Sequence, residues 1–196
     1  MTLNGLLQKS PASLPILQAT FGLERESLRI SKINHRVAQT KHPEILGSRS
    51  FHPYIQTDYS EPQIELITPI ANSTSEVLRF LGAITDVIGR SINKDEYLWP
   101  LSIPPKLSAD EIAIASLEDD WERQYRDHLA KVYGKMLQSM SGIHYNMELG
   151  ADLVTALFEE SDYTSLIAFK NDLYLKLAQN FLRFRWLLTY LYGLRQ

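Results

Sequence analysis

FGLERESLRI, residues 21–30, is the stretch from which the fold can be worked out. It reads as a strand, and in a strand Glu24 and Glu26, two apart, point to the same face. Like charges so placed repel unless something positive lies between them. A hard cation is the economical partner, because Mg²⁺ prefers oxygen ligands. The plain alternative is a solvated edge strand whose polar face carries two Glu, and for this pair alone it is slightly favoured.

The pair does not stand alone. Residues 54–57 and, more strongly, QIELIT (63–68) read as further strands. DYSEP (58–62) between them reads as a turn or bulge, since Pro62 cannot donate in a central ladder. Glu65 lies in this otherwise apolar strand between Ile64 and Leu66, and Asp58 and Glu61 precede it in the turn. A buried carboxylate needs partners or a metal, whereas a Glu on the exposed face of a half-buried sheet needs neither. GIHYNMEL (142–149) alternates as a strand, with His144, Asn146 and Glu148 on one face and Ile143, Tyr145, Met147 and Leu149 on the other. His144 could ligate a metal, although a lone His is more often an ordinary core or surface residue. Three strands with a polar face opposite an apolar one suggest a sheet packed on helices, its other side forming a charged concave site. Any half-exposed antiparallel sheet alternates in this way.

Helices are expected later in the chain, giving an α+β pattern in one unit. Ser73-Thr74-Ser75-Glu76 has capping-box spacing ahead of Val77, Leu78, Leu81, Ile84, Val87, Ile88 and Ile92 at helical period. The Trp99-Pro100 and Pro104-Pro105 pairs predict an irregular, extended stretch. A second helix is predicted from Asp119 or Asp120 to about Met140, with Tyr125, Leu129, Val132 and Met136 on one side. A long last helix is predicted over about 164–192, turning Leu166, Leu173, Leu177, Phe181, Phe184, Leu188 and Leu191 toward a core. Arg123 and Arg126 on the second helix could face a transferring phosphoryl group, but spacing alone favours a solvated helix face.

Composition narrows the chemistry. The 196 residues are 44% hydrophobic and 22% charged, an ordinary globular balance rather than a disordered one. Net charge is −3, so no basic excess points to nucleic acid or a membrane surface. Without a cysteine there is no disulfide, thiolate metal site or cysteine nucleophile. Residues 1–20 are broken by Lys9, Pro11 and Pro15 and lack a signal-peptide pattern. A cytoplasmic protein is expected. Neither common phosphate-cradling glycine pattern occurs, so ATP, if bound, is held through metal and side chains.

Five segments in order resemble the bacterial glutamate–cysteine ligase family: GLERESLRI (22–30), IQTDYSEPQIELITP (55–69), LWPLSIPP (98–105), YRDHLAKVYGKMLQSMSGIHYNMEL (125–149) and FLRFRWLLTYLYG (181–193). The match includes the ligase half of the bifunctional glutathione-synthesising enzyme. The resemblance implies a glutamine-synthetase-like fold, an antiparallel sheet with packed helices. It implies that ATP phosphorylates the γ-carboxylate of L-glutamate and that the amine of L-cysteine then displaces phosphate. By motif, Glu24, Glu26, Asp58, Glu65 and His144 would ligate Mg²⁺, with Mn²⁺ as an alternative. Tyr59, Tyr125, Leu129, Gln138, Met140 and His144 would line the cysteine pocket, and Arg126 would face the transferred phosphate. Relatives continue after the aromatic-Gly pair with Ala-Ser-Pro, whereas here Leu194-Arg195-Gln196 follows. Residues 1–196 are therefore expected to be the N-terminal portion of the catalytic domain, truncated, with an incomplete sheet and room for self-association. A related ligase using another amine and a catalytically inactive fragment are the competing expectations.

Overall fold

A computed structural model describes residues 19–105, 107–116 and 119–193. The expectations for residues 1–18 and 194–196 lie outside the described residues. The chain divides into two compact units, Ala19–Glu148 and one that includes residues 149–193.

The first unit is built on β1 (Ala19–Ser31). It pairs antiparallel with β3 (Gln63–Ile67), which pairs antiparallel with β2 (Ile55–Thr57). β4 (Glu96–Leu98) joins β1 antiparallel, and β5 (Ile143–Leu149) also pairs with β1, giving five strands. The strands read from the sequence are all present, and residues 58–62 are the turn between β2 and β3. β4 was not expected, because three residues before a Trp-Pro pair are too short to show a period. It is held from β1 by Lys32 N–H on Asp95 O (2.7 Å) and by Trp99 N–H on Leu28 O (2.8 Å).

Register separates the two faces. Arg25 lies opposite Leu66 and Ser27 opposite Ile64. This face packs on α1 (Thr74–Ser91) through a core of Leu46, Ile55, Ile64, Leu66, Ile88 and Ile92, with Leu23, Ala71 and Val77 beside it. Ser73 Oγ caps α1 by accepting from Glu76 N–H (3.2 Å). The return arm of the box lands one residue early, on Asn72 N–H (3.1 Å). Glu24 and Glu26 lie opposite Ile67 and Glu65, on the other face.

Buried charges tie this frame together. Arg29, 1% exposed, pairs with Glu96 at 3.0 Å and donates to the carbonyls of Thr40 (2.7 Å) and Glu61 (3.1 Å). Arg49 meets both oxygens of Glu61, which also accepts from the N–H groups of His42 (3.0 Å) and Ser116 (3.2 Å). Burial pushes Glu61 up, but Arg49 and these N–H groups outweigh it and hold the carboxyl below its ordinary value. Burial, then the Arg49 and Arg29 charges, drive the His42 ring down to about 4 from 6.5. Between those values the unfolded chain takes up a proton on this His that the folded chain refuses. The His42 contribution to stability therefore falls as pH drops through that window, and the Glu61 contribution is lost in the same direction. Replacing His42 by Gln should remove about 2 kcal/mol of pH dependence, read as the difference between the two chains' urea-unfolding stabilities at pH 4.5 and at pH 7. A pH dependence identical in the unaltered chain and in His42→Gln would contradict this picture.

Three expectations need correction. The second helix does not run to Met140: α2 (Asp120–Tyr133) ends at Gly134, whose φ of 81° stops the helix, and α3 (Lys135–Gln138) is a separate turn. Asp119 does cap α2, its carboxylate accepting from Trp121 N–H (2.8 Å). The apolar face of β5 does not pack on helices, since Ile143, Tyr145 and Met147 are exposed. In the second unit, α4 (Ala151–Glu159) was not foreseen, and the long last helix is two, α5 (Leu166–Phe184) and α6 (Trp186–Tyr192). Leu166, Leu177, Phe181, Phe184, Leu188 and Leu191 are exposed and Leu173 is half-buried, so among the described residues this stripe faces no core. α5 meets its neighbours through Phe169, against Phe158 (5.7 Å) and Tyr163 (5.6 Å), and through Tyr174, whose hydroxyl accepts from Leu149 N–H (3.1 Å). An apolar stripe shows which side of a helix seeks burial, not what covers it. Among the described residues no helix is long and apolar enough to cross a membrane.

Candidate metal centre

The face of the sheet opposite α1 gathers the acidic residues within the first unit. Glu26 and Glu65 are direct cross-strand neighbours, an arrangement that is destabilising for two like charges. β5 brings in His144, whose Nδ1 lies 3.1 Å from Glu24 Oε2 and whose Nε2 lies 3.9 Å from Glu26 Oε1. Asn146 Nδ2 donates to Glu24 Oε1 (2.9 Å). Ligand atoms of Glu24, Glu65 and His144 all lie within 4.8 Å of one another.

The charges are strained. Burial, then the carboxylates of Asp58, Glu24 and Glu26, push Glu65 up to about 7. Burial and Glu26 raise Asp58 as well. The hydrogen bond to Glu24 raises His144. Among the described residues no Lys or Arg forms an ion pair with Glu24, Glu26, Asp58 or Glu65. A donor set dominated by carboxylate oxygens, with one imidazole and no thiolate, fits a hard divalent cation such as Mg²⁺ or Mn²⁺.

Arg126 on α2 reaches the same site from outside the sheet. Its Nε donates to the Asp58 carbonyl (2.8 Å) and its Nη1 to Glu122 O (3.3 Å), so the guanidinium is tied to the β2–β3 turn rather than left on a solvated face. Tyr59, next in that turn, is buried, and its hydroxyl has no partner among the described residues. Tyr125 is half exposed and stacks on Trp121, with centroids 5.7 Å apart. Leu129 is on α2 and half-buried, Gln138 ends α3, and Met140 is exposed ahead of β5. No side-chain hydrogen bond joins Tyr125, Gln138 or Met140 to the acidic cluster among the described residues.

Two residues at the cluster went unremarked in the sequence. Gln63 Nε2 and Gly142 N–H both donate to Glu26 Oε2, each at 3.0 Å. Gln63 is two before Glu65 and so shares its face, a signal that period-two reading carries. A Cβ on Gly142 would stand 3.0 Å from His144 Nε2 and 3.5 Å from Glu26 Oε1, so the lack of a side chain there keeps the two ligand candidates together. An open groove of about 410 Å³ borders Glu24 and Asn146.

A mixed α/β frame with a carboxylate-lined antiparallel sheet fit for a divalent cation defines the class. The glutamate–cysteine ligase family model matches residues 5–195. The chain belongs to the glutamate–cysteine ligase family. It is 70% identical over 193 residues to the glutathione biosynthesis bifunctional protein GshAB of Streptococcus mutans, covering 98% of this chain and 26% of that one. It is 51% identical over 196 residues to the same-named protein of Enterococcus faecalis, again over 98% and 26%. Among solved structures, a bifunctional glutathione synthetase from Pasteurella multocida superposes with a TM-score of 0.90 at 43% identity, over 96% of this chain and 25% of that one. A glutamate–cysteine ligase from Francisella tularensis in complex with AMP gives 0.82 at 29% identity, over 88% and 34%. The chain spans about a quarter of the length of the curated relatives it matches.

Proposed function

We propose that residues 1–196 are the N-terminal portion of a glutamate–cysteine ligase catalytic domain and carry its cation-facing wall. The observation that carries this reading is the set of acids on one sheet face, with Glu26 directly opposite Glu65, ligand atoms of Glu24, Glu65 and His144 within 4.8 Å of one another, and no Lys or Arg ion-paired to these acids among the described residues. Glu24, Glu26, Asp58, Glu65 and His144 would hold Mg²⁺, with Mn²⁺ as an alternative. Bound there, the cation would offset repulsion between the ATP phosphates and the glutamate γ-carboxylate.

The reaction itself needs no covalent nucleophile from the protein. A γ-carboxylate oxygen of glutamate attacks the γ-phosphorus of ATP and ADP leaves. The amine of cysteine then attacks the acyl carbon, phosphate leaves with the C–O bond electrons, and the amine loses a proton. The product is γ-glutamylcysteine, the first step of glutathione biosynthesis, consistent with the names of the relatives. Arg126 contributes positive charge where the transferred phosphoryl develops negative charge, its guanidinium oriented by Asp58 O and Glu122 O. Tyr59, Tyr125, Leu129, Gln138, Met140 and His144 orient cysteine. The partners are ATP, L-glutamate and L-cysteine, in the cytoplasm, rather than nucleic acid or a membrane.

The folded chain should be incubated with Mg²⁺, ATP, glutamate and cysteine, following ADP and γ-glutamylcysteine together. Equal formation of both, dependent on cysteine, is expected. Product with another amine and none with cysteine would overturn the substrate assignment, and no product from a folded sample would confine the chain to binding.

A further inference from the structure

We propose that Gln63 is a positioning residue that makes Glu26 present one oxygen, Oε1, to the cation. This inference rests on the metal-centre reading above and adds to it a residue outside the ligand set.

Gln63 is fully buried, at 0% exposure. Its Nε2 donates to Glu26 Oε2 at 3.0 Å, and its Oε1 accepts from Ser60 Oγ at 3.3 Å. The orientation of the amide follows from chemistry: an ionised carboxylate only accepts, so only the amide nitrogen can face Glu26. The backbone of Gln63 is fixed as well, its N–H on Ser60 O (2.9 Å) and its carbonyl accepting from Asp58 N–H (3.1 Å). The donor therefore reaches Glu26 from a rigid turn.

Glu26 Oε2 receives a second donor, Gly142 N–H, at 3.0 Å. A carboxylate oxygen has about two lone-pair sites, so these two donors fill Oε2. Among the described residues Oε1 accepts no hydrogen bond, and it lies 3.9 Å from His144 Nε2. The same open approach is kept by the missing side chain of Gly142. The neutral amide matters in a further way. It orients Glu26 without cancelling its charge, which a Lys or Arg at position 63 would do. Glu24 differs, its two oxygens meeting His144 and Asn146 from β5 alone.

The test is a titration of the whole 196-residue chain with Mn²⁺, read by electron paramagnetic resonance of the free ion. Gln63→Met keeps the volume and loses the donor. Its Mn²⁺ affinity should fall between about 10- and 100-fold, as for other groups that orient metal ligands, with an unchanged far-UV circular dichroism spectrum. Gln63→Asn holds an amide one methylene short of Glu26 and should lose affinity similarly, which covers a failure of the Met variant to fold. A double-mutant cycle with Glu26→Gln separates positioning from general support: once Glu26 is changed, Gln63→Met should weaken binding no further. Unaltered affinity in both Gln63 variants would overturn the proposal while leaving the metal centre standing. A full additive loss in the double variant would overturn it too. Absence of Mn²⁺ binding by the unaltered chain would instead remove the metal-centre reading, and the role of Gln63 with it.

Discussion

Glu65→Ala should abolish cation-dependent ATP binding, weakening Mn²⁺ by at least about 100-fold while leaving the fold intact. Glu65 sits directly opposite Glu26 on the neighbouring strand and within ligand reach of Glu24 and His144. Its carboxylate is half-buried, and burial together with Asp58, Glu24 and Glu26 works against its charge. A side chain kept for the fold would not be placed so badly. Its removal relieves repulsion in the metal-free chain, so apo stability should hold or rise by on the order of 1 kcal/mol, as is common where function opposes stability. The pairing of lost ligand binding with retained or increased melting temperature marks a ligand residue. Equilibrium dialysis of ATP with and without Mn²⁺, beside a melting curve, reads both quantities. Unchanged cation-dependent ATP binding would remove Glu65 from the ligand set.

Arg29→Ala should have the largest effect on the fold. Arg29 links β1 to Glu96 at the start of β4, to Thr40, and to the carbonyl of Glu61 in the turn that carries Asp58. Deleting it leaves the Glu96 carboxylate, almost wholly buried, with Thr40 Oγ1 as its one remaining side-chain partner among the described residues. Breaking such a pair from one side costs about 3–5 kcal/mol, against a total stability of about 5–15 kcal/mol. Arg29→Lys should recover little, because one ammonium cannot span the positions that the two guanidinium nitrogens bridge. Arg29→Met combined with Glu96→Leu should recover more, since it removes both buried charges. Urea unfolding gives the values, and a loss under about 1 kcal/mol in Arg29→Ala would show that the network contributes little to stability.

The contrast between Glu65 and Arg29 explains what could be read in the chain before its structure. Period two put Glu24 with Glu26 on one face of β1, and the QIELIT pattern set Glu65 inside β3. Local geometry is enough for that. Pairing Glu26 with Glu65 rather than with a neighbour needs the register, which depends on the turn at 58–62 and on the α1 core. Arg29 and Glu96 are far apart in sequence and meet only through β1–β4 pairing, so no spacing rule announces them. Arg49 and Glu61 were hidden in the same way. Gly134 was visible, but the long periodic pattern around it hid its role as a stop. The apolar stripe of α5 and α6 misled in the opposite direction, because period alone cannot say whether Phe181 or Leu191 is covered. At the candidate site, acidic residues drew notice by their charge, while Gln63 and Gly142, neutral and equally close, did not.

Mn²⁺ titration of the metal-free chain asks whether the acidic face of this sheet binds a divalent cation. Saturable binding is expected, seen as loss of the free-ion resonance, and it should disappear in the Glu24→Gln, Glu65→Gln double variant. A free-ion signal rising in proportion to added Mn²⁺ from the first addition, or binding undiminished in that double variant, would contradict it.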